Sequence, residues 1–238
     1  MHHRAAALSD IGLHRRENED RYLCDNHRGL FGVADGIGGL PHGALAAETA
    51  IEAVGRLVAH TAAQRVNQNL ELIISSANNE VLQLGRQMSP LFGIGTTLTF
   101  GLLAGDSLRL AHVGDSRCYL LSKDRLTRLT TDHNVENEHR HRRERGETVD
   151  ESIRNRAALT RCIGQWTTPI ADLSVHALEP GDRCLFCTDG LTRAVEDAEL
   201  AEALSGTGEP ERILRDLVQL ANRRGGFDNA TAVLLLTE

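Results

Sequence analysis

Four aspartates in this chain sit where an apolar run meets a turn bearing glycine or asparagine: Asp35 in LFGVADGIGG, Asp115 in LAHVGDS, Asp189 in RCLFCTDG and Asp228 in GGFDN. A fifth acidic site, Glu19-Asp20, precedes the short apolar segment Arg21–Cys24. A carboxylate at a strand end, beside backbone that glycine leaves bare, suits a hard cation that takes oxygen ligands. Antiparallel strands bring alternate ends to one edge, so these junctions can converge. Converging carboxylates raise one another's pKa unless a cation offsets the repulsion, and no lysine adjoins them in sequence. Asp-Gly turns are also ordinary surface features; their repetition is what argues for metal. All-oxygen ligation favours Mg²⁺ or Mn²⁺ over zinc, and the number of acids implies at least two ions.

The elements that must position these acids follow from periodicity. Leu30–Ala34 predicts a short buried strand ending at Asp35. Ala5–Ile11 and Arg21–Cys24 read as further strands. Pro41 is expected to open a helix at its first position, with Ala47, Ala50, Ile51, Val54, Leu57 and Val58 on one face. Val66, Leu70, Ile73, Ile74, Ala77, Val81 and Leu84 predict a second amphipathic helix. A meander of strands with tight turns follows: Thr96–Leu103, Leu108–Val113, Arg117–Leu121 and Leu126–Asp132. After the polar stretch Asn134–Gly146, strands return at Asp172–Leu178 and Arg183–Cys187, with Asp189-Gly190 as a closing turn. Helices near Glu196–Leu204 and Pro210–Arg223 precede a final strand, Ala230–Leu236. Antiparallel sheets covered by helix pairs make an α+β layered fold rather than a doubly wound one. No linker, repeat or low-complexity segment appears, so residues 1–238 read as one domain.

Composition narrows the function. The chain of 238 residues carries a net charge of −7 and is 41% hydrophobic. That argues against a nucleic-acid-binding surface. No apolar run reaches the roughly 20 residues of a membrane span, and the N-terminus lacks the apolar core of a signal peptide. The expected setting is the cytoplasm. Five cysteines are too few and oddly numbered for a disulfide scaffold. Cys184 and Cys187 form a CxxC, but on a strand residues three apart face opposite sides and do not share a metal.

Taken in order, the motifs Arg15…Asn18-Glu19-Asp20, Asp35-Gly36-Ile37-Gly38-Gly39, Gly95-Thr96-Thr97, Val113-Gly114-Asp115-Ser116-Arg117, Thr131-Asp132-His133, Leu159-Thr160-Arg161, Thr188-Asp189-Gly190-Leu191 and Asp228-Asn229 resemble those of the metal-dependent protein Ser/Thr phosphatases of the 2C type, and most of all their compact bacterial members. The resemblance runs over nearly the whole chain. It implies a four-layer α-β-β-α sandwich, two antiparallel sheets each flanked by a helix pair. It also implies a binuclear Mn²⁺ or Mg²⁺ centre. Asp35 would bridge the ions, the Gly36 carbonyl would be a further ligand, and Glu19 or Asp20, Asp189 and Asp228 would complete the set. Asp115, with Asp189, would match a third, looser metal. Arg15 would hold the substrate phosphate, a hydroxide shared by the two ions would attack phosphorus, and no protein nucleophile would be needed.

The expected substrates are phosphorylated proteins, with a cognate Ser/Thr kinase acting in the opposite direction. A catalytically silent binding module of the same fold is the alternative, which the intact acid set disfavours. Two departures from the family stand out. Some members have a histidine after the Asp-Gly; here it is Ile37, which cannot donate a proton. The region Asn134–Arg156, matching the family's variable flap, carries a basic cluster of His139, Arg140, His141, Arg142, Arg143 and Arg145. Arg142 and Arg143 are expected to draw phosphorylated or acidic segments toward the site. The competing reading is a solvated helix face balanced by Glu136, Glu138, Glu144 and Glu147.

Overall fold

A computed structural model describes residues 2–64, 68–150, 152 and 154–238. In chain order the elements are β1 (His3–Asp10), β2 (Asp20–Asp25), β3 (Leu30–Asp35), α1 (Gly43–Ala63), α2 (Leu70–Met88), β4 (Leu98–Ala104), β5 (Ser107–Val113), β6 (Arg117–Ser122), β7 (Arg125–Arg128), α3 (Val135–Glu144), β8 (Asp172–Ala177), β9 (Arg183–Cys187), α4 (Asp189–Thr192), α5 (Asp197–Ser205), α6 (Pro210–Arg223) and β10 (Ala230–Thr237). The strands form two five-stranded antiparallel sheets, ordered β1-β10-β9-β6-β7 and β2-β3-β4-β5-β8. The fold is the expected α+β sandwich of four layers.

Strand alternation builds three layers of core from these sequences. Between the sheets pack Phe31, Val33, Leu108, Leu110, Phe186 and Val233. The opposite face of the β3 sheet, through Leu30, Ala34 and Phe100, meets the small and branched faces of α1 and α2, including Ala50, Val54, Ile74 and Val81. The opposite face of the β9 sheet, through Leu185 and Leu234, meets Leu200, Leu214 and Leu217 of α5 and α6. Cys184 joins the layer between the sheets and Cys187 the layer under the helices, so the CxxC is split across the sheet, and its thiols are free. Pro210 starts α6 at its first turn, where a missing N–H costs nothing.

Three boundaries differ from the sequence reading. Pro41 does not open α1. The helix begins at Gly43, after His42 in a left-handed conformation (φ 60°). Backbone crowding sets this start: a Cβ on Gly36 would lie 2.4 Å from the Gly43 carbonyl, and one on Gly43 would lie 2.4 Å from Glu19 Oε1. The strand expected over Leu126–Asp132 stops at Arg128, because Asp132 turns inward to pair with Arg117 and Arg128. Asp189-Gly190 is no hairpin turn but the start of the one-turn helix α4. Val66, expected on the face of the second helix, lies outside the described residues. The polar stretch after Asn134 is a helix, α3, whose N-terminus is capped by the Asn134 side chain accepting from the Asn137 N–H at 3.0 Å.

Candidate active site

Register explains how the acids meet. Asp20, the first residue of β2, lies directly opposite Asp35, the last of β3. β9 and β10 are antiparallel neighbours, so the end of β9, leading to Asp189, lies beside the start of β10, just after Asp228. Asp10, ending β1, pairs with Ala230, so the β1–β2 loop carrying Arg15 and Glu19 emerges at the same edge. Asp115 follows β5 on a turn made by Gly114, whose φ of 114° favours glycine.

Backbone and hydroxyl groups seat the Asp35 main chain and the Asp20 carboxylate. The Asp35 N–H donates to Thr97 Oγ1 at 2.9 Å, and its carbonyl accepts from the Thr97 N–H at 2.8 Å. The Thr188 hydroxyl donates to Asp20 Oδ2 at 2.9 Å. Asn229 clamps the loop: its Oδ1 accepts from the Glu19 N–H at 2.8 Å, while its Nδ2 donates to the carbonyls of Ile11 (2.9 Å) and Glu17 (3.1 Å). Behind Asp115, Asp132 takes a two-pronged contact from Arg117 (3.1 and 2.9 Å), and His133 Nδ1 accepts from the Gly114 N–H at 3.1 Å. Thr131-Asp132-His133 thus acts as a brace for the Asp115 turn.

The electrostatics are those of carboxylates forced together. Burial, foremost, and then Asp20, Asp189, Asp115 and Asp228 hold the Asp35 carboxyl well above the usual range. Burial, followed among the charges by Asp189, pushes Asp20 up to about 7. Burial and then Asp189 push Asp115 up to about 7 as well, and Asp189 is raised, chiefly by burial. Cationic side chains compensate in part. Arg15 Nη2 reaches Asp228 at 2.8 Å and its Nη1 reaches Glu19 at 3.5 Å. Arg193 reaches Asp189 at 2.5 Å and Asp228 at 3.9 Å.

Two buried oxygens, Asp20 Oδ1 and Asp189 Oδ1, have no hydrogen-bond partner. Leaving such atoms unsatisfied costs about 1–3 kcal/mol each, and a divalent cation would satisfy both. Among the described residues no three His, Cys, Asp or Glu side chains stand close enough together to form a ready-made cage. The donor set is oxygen only and fits a hard divalent ion.

The cleft above the acids holds about 450 Å³ and is walled by Arg15, Asp35, Ile37, Asp115, Asp189 and Asp228 together with Asn155, Ala157, Ala158, Leu159 and Cys162. Thr160 and Ile163 pin the 155–162 segment, their N–H groups donating to the carbonyls of His133 (2.9 Å) and Thr96 (2.8 Å). Ile37 faces the cleft and supplies no proton. Cys162 also lines it, but burial pushes its thiol up to about 11, so it stays protonated and is no nucleophile.

Of the residues expected from the sequence, Arg15, Glu19, Asp20, Asp35, Gly36, Asp115, Asp189 and Asp228 are brought to this one edge. Arg142 and Arg143 are not: they lie on α3 and do not line the cleft. Arg142 is engaged by Glu147 at 3.0 Å and by the Thr148 carbonyl at 3.0 Å. Thr188 stands in the Thr188-Asp189-Gly190-Leu191 motif without a role of its own, and Arg193 was not singled out. Arg193 stands four residues after Asp189, a spacing that signals an ion pair only once Asp189 is known to begin a helix.

Residues 2–230 match the family Protein phosphatase 2C. A putative protein phosphatase 2C-type of Streptococcus pyogenes is 34% identical over 97% of this chain and 96% of its own length. The serine/threonine protein phosphatase PstP of Mycobacterium tuberculosis is 35% identical over 97% of this chain, which spans 44% of PstP. The crystal structure of the PstP catalytic domain in complex with two manganese ions superposes with a TM-score of 0.81, at 32% identity, covering 98% of this chain and 97% of that one. Convergent acids at one edge of an α-β-β-α sandwich, a paired arginine and a match over nearly the full length place this chain in the protein phosphatase 2C family.

Proposed function

We propose that the chain is a metal-dependent protein Ser/Thr phosphatase, releasing phosphate from phosphoserine and phosphothreonine. The observation that carries this reading is the convergence of Asp20, Asp35, Asp115, Asp189 and Asp228, with two unsatisfied buried oxygens and Arg15 beside them. Asp35, the Gly36 carbonyl, Glu19 or Asp20, Asp189 and Asp228 would hold two Mn²⁺ or Mg²⁺ ions, and Asp115 with Asp189 a third. Ions bound there supply Lewis acidity toward phosphoryl oxygens and a nucleophile from water at neutral pH. Arg15, about a third exposed and paired with Asp228, would offer its planar fork to the phosphate oxygens, and Asp228 would then be available as a metal ligand. The Thr97 and Thr188 hydrogen bonds keep the acids from relaxing apart. Ile37 and Leu159 line the cleft as apolar walls. With Ile37 where a proton donor could stand, the leaving oxygen takes its proton from solvent held at the acid cluster rather than from a side chain.

Residues 1–238 are read as one catalytic domain, supported by the pairing of β1 with β10. A reducing, cytoplasmic setting agrees with five unpaired cysteines and with the lack, among the described residues, of any helix long and apolar enough to cross a membrane. Phosphoproteins made by a cognate Ser/Thr kinase are the proposed substrates. Because Arg142 and Arg143 stand off the cleft, their proposed part in substrate capture is long-range attraction. A silent binding module would tolerate loss of an acid or of Arg15, and neither is lost. Phosphate release from a phosphothreonine peptide, with and without Mn²⁺, tests the reading. Metal-stimulated release is expected, and its absence refutes the proposal.

A further inference from the structure

Next to the catalytic cleft lies a second concavity of about 300 Å³, and Arg193 and Asp228 line both. Its floor is Gly190, Ala194 and Ala221, and its rim is Phe227. Phe227 is 71% exposed, a costly position for an aromatic ring, and Leu13 beside it is 67% exposed. Neither is loose. Gly225 and Gly226, at φ 128° and 53°, turn the chain, and the Phe227 ring lies back over Gly225, where a Cβ would stand 2.2 Å from it. The Leu13 N–H donates to the Gly226 carbonyl at 2.7 Å, tying the β1–β2 loop to that turn. The His14 ring stacks on Phe227 with centroids 5.0 Å apart and planes 17° apart. Arg15, the next residue, is the proposed phosphate ligand.

The fold therefore holds an apolar shelf at one side of the proposed phosphate position, next to the cleft and sharing Arg193 and Asp228 with it. Its volume sits at the small end of ligand pockets, right for a side chain rather than a cofactor. We propose that this concavity is a specificity subsite. It would take a large apolar side chain of the substrate, a few residues from the phosphorylated one, packed between the Phe227–His14 stack and the Gly190–Ala194 floor. The occupant is the substrate's own chain, because a peptide holding its phosphate at Arg15 must leave the cleft, and on this side it leaves past Asp228 and Arg193. The inference rests on the phosphatase reading and extends it to substrate class.

The test uses the intact protein with Mn²⁺ and phosphothreonine peptides in a Gly/Ser/Ala host, with a single Leu or Phe scanned through the positions on both sides. The wild type is expected to favour an apolar residue at one or two positions on one side only, by roughly tenfold in kcat/KM, carried mainly by KM. Phe227→Ser should reduce that preference to within twofold, His14→Ala should weaken it from the other half of the stack, and Phe227→Tyr should keep it. Both rings are exposed, so these changes spare the core. A wild type indifferent to every position, or a preference that survives in Phe227→Ser, overturns the subsite. If no peptide, the plain host included, releases phosphate with Mn²⁺, the phosphatase reading itself has failed.

Discussion

His112, near the end of β5 and 1% exposed, should make this protein sensitive to mild acid. Its Nε2 lies 2.9 Å from the Thr131 carbonyl, which can only accept, so the proton sits on Nε2. Nδ1 is left to accept from the Thr99 hydroxyl at 2.8 Å. A second proton would have to enter on Nδ1 in a desolvated site, with the His133 ring centroid 4.6 Å away. Burial first, and then His133, push the ring from its ordinary 6.5 down to about 3. The sign follows from linkage. The folded state binds the proton more weakly than the unfolded chain, so the stability from the neutral ring is complete above about pH 6.5. It is lost progressively as pH falls toward 3. Between pH 7 and pH 5 the loss is roughly 2 kcal/mol. His112→Gln keeps a polar group but cannot titrate, at a fixed cost of about 1–2 kcal/mol. Urea unfolding of both proteins in EDTA, from pH 7 to pH 5, isolates the effect, because the clustered acids titrate in both and cancel. The wild type's advantage over the variant should shrink by about 2 kcal/mol across that range. Stability curves that stay parallel would refute the assignment of a buried neutral His112.

Asp35→Asn should lower kcat on a phosphothreonine peptide by roughly a thousandfold while the protein stays folded, since it removes one of several mutually repelling buried charges; circular dichroism alongside the assay checks both halves, and a near-normal rate would remove Asp35 from its bridging role. Gly190→Ala should cost about 1–3 kcal/mol and most of the activity, because its Cβ would lie 1.9 Å from the Asn229 carbonyl oxygen and force α4 from β10, separating Asp189 from Asp228; thermal melts and Mn²⁺ titration read the two effects. Changing Arg140, Arg142, Arg143 and Arg145 to Gln should flatten the salt dependence of kcat/KM on an acidic phosphoprotein with little change on a short neutral phosphopeptide. An unaltered salt slope would leave α3 as a solvated face.

Much of this protein is legible in its sequence because the signals are local. The period-2 run of β5, the 3.6-residue stripes of α1 and α6, the proline at the start of α6 and the Asp-bearing turns each depend on neighbours a few residues away. The residue types alone pointed to hard cations rather than zinc; that no cysteine nucleophile is needed came from the resemblance. Convergence of the acids was an inference from repetition and resemblance; the register that sets Asp20 opposite Asp35, and the β9–β10 pairing that brings Asp189 to Asp228, belong to the tertiary structure. So do the start of α1, set by the Gly36–Gly43 approach rather than by Pro41, and the helical turn that aims Arg193 at Asp189. The basic run of α3 announced itself by composition, yet where it stands relative to the cleft was written nowhere in its spacing. Local propensity and burial pattern are carried by short stretches of chain. Which charges face one another depends on pairings between segments as far apart as Arg15 and Asp228, and only the packed sheets decide those.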